Sequence, residues 1–105
     1  MSADRALSML GLAARANKIA SGEYQTEKAV KSHHAYLVIV AEDASENTKK
    51  MFENMCSFYK TELIFYGTRE SLGHSIGKEF RASLAITEKG LAESVRKKLV
   101  QTTTE

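Results

Sequence analysis

The run Tyr36-Leu37-Val38-Ile39-Val40-Ala41 constrains this chain more than any other segment. It is continuous, apolar and largely β-branched, with no alternation of polar residues. A strand of that kind is expected to be buried on both faces. Apolar layers must then lie on each side of it. The rest of the chain supplies helices for that purpose.

Asp4 or Ser2 can cap a first helix running to about Asn17. Its apolar positions Leu7, Leu10, Ala14 and Met9, Ala13, Ala16 recur at helical spacing. Asp4, Arg5 and Arg15 interrupt this stretch, so it has no clean apolar region of the targeting type and reads as a helix of the fold. Ile19-Ala20 is long enough only for an edge strand. Ser21-Gly22 opens a second helix, about Glu23 to Ser32, with Thr26, Ala29 and Val30 inward. After the central strand, Ser45 caps a third helix from about Glu46 to Lys60, and its inward stripe is Met51, Phe52, Met55, Cys56 and Tyr59. Glu62 to Tyr66 is the next strand. Arg69 to about Ile76 is a fourth helix stopped by Gly77. Ser83 to Ile86 is the last strand. Thr87 caps a fifth helix with Leu91, Val95 and Leu99 on one face, and Gln101 to Glu105 reads as a frayed tail.

Strands alternating with helices give an α/β fold, a three-layer α/β/α sandwich. At 105 residues the chain is expected to be one domain, residues 1–105, without linkers or repeats. No apolar run approaches the ~20 residues of a membrane span. The single cysteine, Cys56, can form no internal disulfide, which suits a reducing compartment such as the cytoplasm.

Enzyme hardware is sparse. Glu42-Asp43 closes the central strand, where α/β folds often place active sites. Neighbouring residues on a strand point to opposite faces, so the two carboxylates need not converge. They equally suit a turn before a helix N-terminus. The sequence carries no phosphate loop and no dinucleotide fingerprint. His33, His34, His74 and Cys56 match no zinc spacing. No catalytic residue, metal or cofactor is therefore expected.

The net charge of +2 is too small to demand a nucleic-acid partner. Local arrangement says more. In Gly22-Glu23-Tyr24-Gln25-Thr26-Glu27-Lys28-Ala29-Val30-Lys31 a glycine opens a helix, and Tyr24, Lys28 and Lys31 share one face. Helix N-terminal amides suit a phosphate, and lysines further along can follow a backbone. Gln25 and Tyr24 can meet bases by hydrogen bond or stacking. Taken alone, the segment reads first as a solvated amphipathic helix.

Gly22 to Lys31, Ala35 to Ala44, and Leu72-Gly73-His74-Ser75-Ile76-Gly77 resemble the kink-turn RNA-binding ribosomal protein family, also called the ribosomal L-seven-Ae family. The resemblance covers about Leu7 to Val100. Within the family it is similar to the bacterial YlxQ-type branch, through Ala41 to Lys50 and Gly67-Thr68-Arg69. It implies a four-stranded mixed sheet at the centre of the sandwich. It also implies a grip on sharply bent RNA internal loops. The second helix enters the widened groove by its N-terminal end. The loop before the last strand, Lys78 to Ala82, packs on bulged nucleotides.

The RNA-binding residues so implied are Gly22, Glu23, Tyr24, Gln25, Lys28 and Lys31, with Phe80, Arg81, Ala82 and Ser83. The implied partner is structured RNA, ribosomal RNA or another internal loop, with ribosomal proteins as further neighbours. A monomer is the default. The family's helix typically begins Gly-x-Asn-Glu, whereas this chain places Tyr24 and Gln25 there. A protein-interaction module on the same scaffold, without kink-turn recognition, therefore stays open.

Overall fold

The computed structural model describes the backbone of residues 4–104 and side chains as far as Val100. Its elements are α1 (Arg5–Arg15), β1 (Ile19–Ser21), α2 (Glu23–Lys31), β2 (Leu37–Val40), α3 (Glu46–Tyr59), β3 (Leu63–Phe65), α4 (Arg69–Ser75), β4 (Ser83–Ile86) and α5 (Lys89–Thr104). The strands form one mixed sheet in the order β1-β4-β2-β3. β4 is antiparallel to both β1 and β2, and β3 is parallel to β2.

The burial pattern explains why the central strand is apolar throughout. All four residues of β2 and all four of β4 are buried, while β1 and β3 at the edges are half-exposed. α2 and α3 pack side by side on one face of the sheet, and α1, with α4 and α5 against it, lies on the other. Both faces of a central strand thus meet apolar side chains, which is the sandwich the alternation predicts. Leu10, Leu37, Ile39, Phe52, Leu72, Leu84 and Val95 are among its fully buried residues. No described helix is long and apolar enough to cross a membrane.

Several expected boundaries move. The central strand shortens to Leu37–Val40, because Tyr36 at its start is half-exposed and Ala41 donates its amide to the Ala82 carbonyl beyond the ladder. Asp4 caps α1, its carboxylate accepting the Leu7 amide at 3.0 Å, while Ser2 lies outside the described residues. Thr87 does not cap α5. Its amide donates to the Lys18 carbonyl and so continues the β1–β4 pairing. The helix starts later, and the Glu88 carboxylate accepts the Leu91 amide at 2.7 Å. α5 also runs on to Thr104, through residues the sequence assigns to a tail, and Glu105 lies outside the described residues.

Four helices end in the same way. After α1, Lys18 N–H reaches the Ala13 carbonyl and Asn17 N–H the Ala14 carbonyl. The matching pairs after α2 are His34 to Ala29 and His33 to Val30. After α3 they are Thr61 to Cys56 and Lys60 to Ser57. After α4 they are Lys78 to Gly73 and Gly77 to His74. This double bond satisfies the last carbonyls and needs a left-handed residue at the turn. Only Gly77 is a glycine; Asn17, His33 and Lys60 take φ of 62°, 62° and 57°.

A side chain in that conformation costs about 1–2 kcal/mol. Glycine removes the cost but adds roughly 0.4–1 kcal/mol of unfolded-chain entropy. Lys60→Gly is therefore expected to stabilise the fold by about 0.5–1 kcal/mol, read as a higher urea midpoint. A lower midpoint would mean that the Lys60 side chain makes contacts outweighing its backbone strain.

Candidate nucleic-acid interface

The sheet topology brings the two sequence segments together. β1 ends and β4 begins at the same end of the sheet, with Ser21 opposite Leu84. The Gly22 amide donates to the Ser83 carbonyl at 2.9 Å, which joins the start of α2 to the start of β4. Thr26, in the first turns of α2, is fully buried. Its hydroxyl donates to the Ala20 carbonyl and accepts from the Ser83 hydroxyl, both at 3.4 Å. Long as they are, these bonds give both buried hydroxyls a partner, which an apolar interior requires.

Gly22 is the N-cap of α2, with φ of 90°. A residue other than glycine is strained there. Gly22 has no side chain to cap the helix, so the first-turn amides of Glu23, Tyr24 and Gln25 have no side-chain acceptor among the described residues. The contrast with the other helices is plain. Asp4, Ser45, Thr68 and Glu88 each accept an amide at the start of α1, α3, α4 and α5. Free amides at a helix N-terminus, with the positive end of the dipole, suit an anion.

The loop before β4 lies beside this end. Arg81 is held from three sides. Its amide donates to the Arg69 carbonyl at 3.0 Å, Nε to the Ser21 hydroxyl at 3.3 Å, and Nη1 to the Phe80 carbonyl at 2.8 Å. Its Nη2 has no partner among the described residues, which leaves a donor on a fixed guanidinium. Tyr24 (71% exposed) and Phe80 (61% exposed) are the two large aromatic side chains presented at this end. Gln25 and Glu23 are exposed beside them.

The other site residues divide. Lys28 is exposed and has no ion pair among the described residues. Lys31, one turn further, is bonded to Glu27 at 2.7 Å. That hydrogen bond, and then the Glu27 charge, raise the Lys31 pKa. Ala82 is half-buried, with its carbonyl taken by Ala41. Ser83 is 1% exposed, so its hydroxyl is turned into the fold rather than offered to a ligand. A strand buried on both faces hides the residue that periodicity alone would leave outside.

Two contributors were not legible in the sequence. Ser21 steadies Arg81 through a contact sixty residues away in the chain. Gly73 lets the loop close on α4, since a Cβ there would lie 2.2 Å from the Glu79 carbonyl oxygen. The spacing Leu72-Gly73-x-x-x-Gly77 marks that glycine without showing what approaches it.

One carboxylate at the end of β2 serves the frame. Asp43 accepts the Arg69 amide at 2.8 Å and pairs with the Arg69 guanidinium at 3.6 Å. Among the described residues no three His, Cys, Asp or Glu side chains cluster as a metal site. Cys56 lies in the core at 2% exposure, and burial pushes its thiol up to about 11.

Comparison with known proteins fixes the lineage of this arrangement. Residues 4–96 match the model of the Ribosomal protein L7Ae/L30e/S12e/Gadd45 family. The chain belongs to that family. Among curated family members, the RNA-binding protein YlxQ of Bacillus subtilis (strain 168) is 42% identical over 87 residues, spanning 83% of this chain and 87% of the relative. The RNA-binding protein YlxQ of Enterococcus faecium is 34% identical over 92 residues, spanning 88% of each. These relatives place the chain in the YlxQ-type branch. Both are named as RNA-binding proteins. A solved Bacillus halodurans protein, described as of unknown function, superposes with a TM-score of 0.90 at 35% identity, covering 93% of this chain and 99% of its own. The Giardia lamblia 15.5kD RNA binding protein shares the fold, with a TM-score of 0.77 at 19% identity over 99% of this chain and 92% of its own.

Two outcomes are expected from this geometry. Gly73→Ala forces α4 and the Glu79–Phe80 backbone apart and should destabilise the fold by about 1–3 kcal/mol, read by denaturant unfolding. An unchanged midpoint would mean that the loop yields freely. The Cys56 thiol should resist a disulfide reagent at pH 8 in the native protein and react with one equivalent in denaturant. Because the folded pKa is raised, the stability tied to the neutral thiol is complete below the ordinary thiol range. It is lost as pH climbs toward about 11.

Proposed function

We propose that this chain is a non-catalytic RNA-binding protein, accessory to the ribosome, acting as a single domain on a bent internal loop of structured RNA. The observation that carries the reading is the juncture of Gly22 with Ser83. It sets an uncapped helix N-terminus, two exposed aromatic rings and a pinned arginine side by side at one end of the sheet. The curated relatives named for RNA binding support it.

The recognition divides by chemistry. The first-turn amides of α2 and the Arg81 guanidinium take phosphate oxygens, and Lys28 continues along the backbone. Phe80 stacks on an unpaired base of the bulge. Tyr24 and Gln25 meet base edges in the groove that the bend widens. Tyr24 is bulkier than the family's asparagine and has one hydroxyl to offer, while Gln25 both donates and accepts. These residues retune the base preference within a shared way of gripping bent RNA. The family resemblance supports a kinked loop as the target. The absence of enzyme machinery in the sequence and the positive α2 terminus agree with a partner that is bound rather than converted.

Binding of the pure protein to a kink-turn RNA and to a straight duplex, across a salt series, tests this reading. Tighter binding to the kinked RNA is expected, with affinity falling as salt rises. Lys28→Ala should weaken binding to every RNA and lower the salt slope by about 0.7–0.9, the share of one phosphate. Lys31→Ala should have a smaller effect, because Glu27 already engages that ammonium. Gln25→Ala should change the ranking of loop sequences. Equal loss on all RNAs would remove it from base reading. Indifference to RNA would leave the scaffold as a protein-interaction module.

A further inference from the structure

At the far end of α2 and α3 lies a feature that the proposed RNA edge does not use. Phe58, near the end of α3, is 77% exposed, more than any other large hydrophobic side chain described. Its ring has an aromatic neighbour. It meets Tyr59 edge-on, with centroids 4.9 Å apart and planes at 79°. Tyr59 in turn meets His33, at the end of α2, at 5.7 Å and 68°. The left-handed backbone of His33 turns the chain at that helix end, beside α3. Tyr59, itself backed by His33, thus flanks one outward aromatic side chain.

The surroundings are cationic and polar. Lys31 closes α2 two residues before His33, and Lys60 follows Tyr59 directly in the chain. On α3, Asn47, Lys50 and Asn54 are exposed on the same side as Phe58, while Glu46 and Glu53 fall well round the helix. The acid beside this end of α2 is Glu27, already bonded to Lys31. The exposed large aliphatics described, Leu12 and Val100, belong to α1 and α5, on the other layer. A protein groove would gather aliphatic surface around the ring. Aromatic rings spaced between lysines and amides suit unpaired nucleotides, which stack and carry phosphates.

α2 links the two ends. It starts at the proposed edge, Tyr24, Lys28 and Lys31 share one of its faces, and its far end meets Tyr59 through His33. Its nine residues span roughly 13 Å, about four steps of stacked bases at ~3.4 Å each.

We propose that Phe58 is a stacking platform for an unpaired base of the RNA strand that leaves the proposed edge along α2. The proposal rests on the RNA-binding reading and extends its footprint to a single-stranded flank of about four nucleotides. Lys28 holds the backbone where the strand leaves the edge, Lys31 lies along the flank beyond it, and Lys50 and Lys60 border the platform.

The test compares a blunt kink-turn RNA with the same RNA carrying four adenosines at either its 5′ or its 3′ end. One extension is expected to tighten binding by about five- to a hundredfold. Phe58→Ala should abolish the gain and leave affinity for the blunt RNA unchanged. Phe58→Trp should keep it. The chain has no tryptophan, so this variant also reports directly: its emission should be quenched by the extended RNA and not by the blunt one. Blunt binding with no gain from either extension, or a gain that survives Phe58→Ala, overturns the platform alone. No binding to the blunt RNA overturns the RNA reading and the platform with it. Self-association lost in Phe58→Ala, with no effect of the extensions, assigns the ring to a second copy of the chain and also overturns the proposal.

Discussion

The Ser83 carbonyl accepts the Gly22 amide, and the Ser83 hydroxyl turns inward to Thr26. Those two contacts tie the first turn of a helix to the first residue of a central strand. Everything else at that end follows. β4 must enter the sheet between β1 and β2, so the loop before it has to pass the start of α2. Gly73 permits the loop to lie close against α4, and Arg81 bridges back to Ser21. Individual hydrogen bonds of this kind contribute only about 1 kcal/mol each. Their effect is positional: they make two distant stretches of sequence into one surface.

The sequence read most clearly where burial is complete. β2 announced itself because a strand covered on both faces has no polar alternation to blur it. The α3 stripe was equally plain: Phe52 and Cys56 are buried, and Met51, Met55 and Tyr59 lie at the core's margin. Caps with a short side chain and a helix behind them, at Asp4 and Ser45, were also legible. Thr87 misled because its local pattern fits a cap while the neighbouring strand holds its amide. Strand order was beyond reach, since nothing in Ser83–Ile86 names its two partners. Ser83 looked available for the same reason, because its burial depends on both neighbouring layers.

At the interface, the sequence marked the members and missed their division of labour. Lys28 and Lys31 look alike in a string of residues. In space, one is unpaired among the described residues and the other is held by Glu27. The uncapped start of α2 was visible as Gly22, but its meaning came from the other helices, each of which closes its first turn with a side chain. Charge is similar. A net charge of +2 says little, whereas exposed amides and cations arranged at one helix say where a polyanion is favoured.

The outer strands have a consequence for assembly. β1 and β3, the two open margins of the sheet, are three residues long. A margin that short offers few backbone groups to a strand from another molecule. The sheet therefore has little tendency to grow sideways into larger ladders, even though it is not closed into a barrel. The chain can carry an unusually apolar centre and still resist the edge-to-edge aggregation to which exposed sheets are prone.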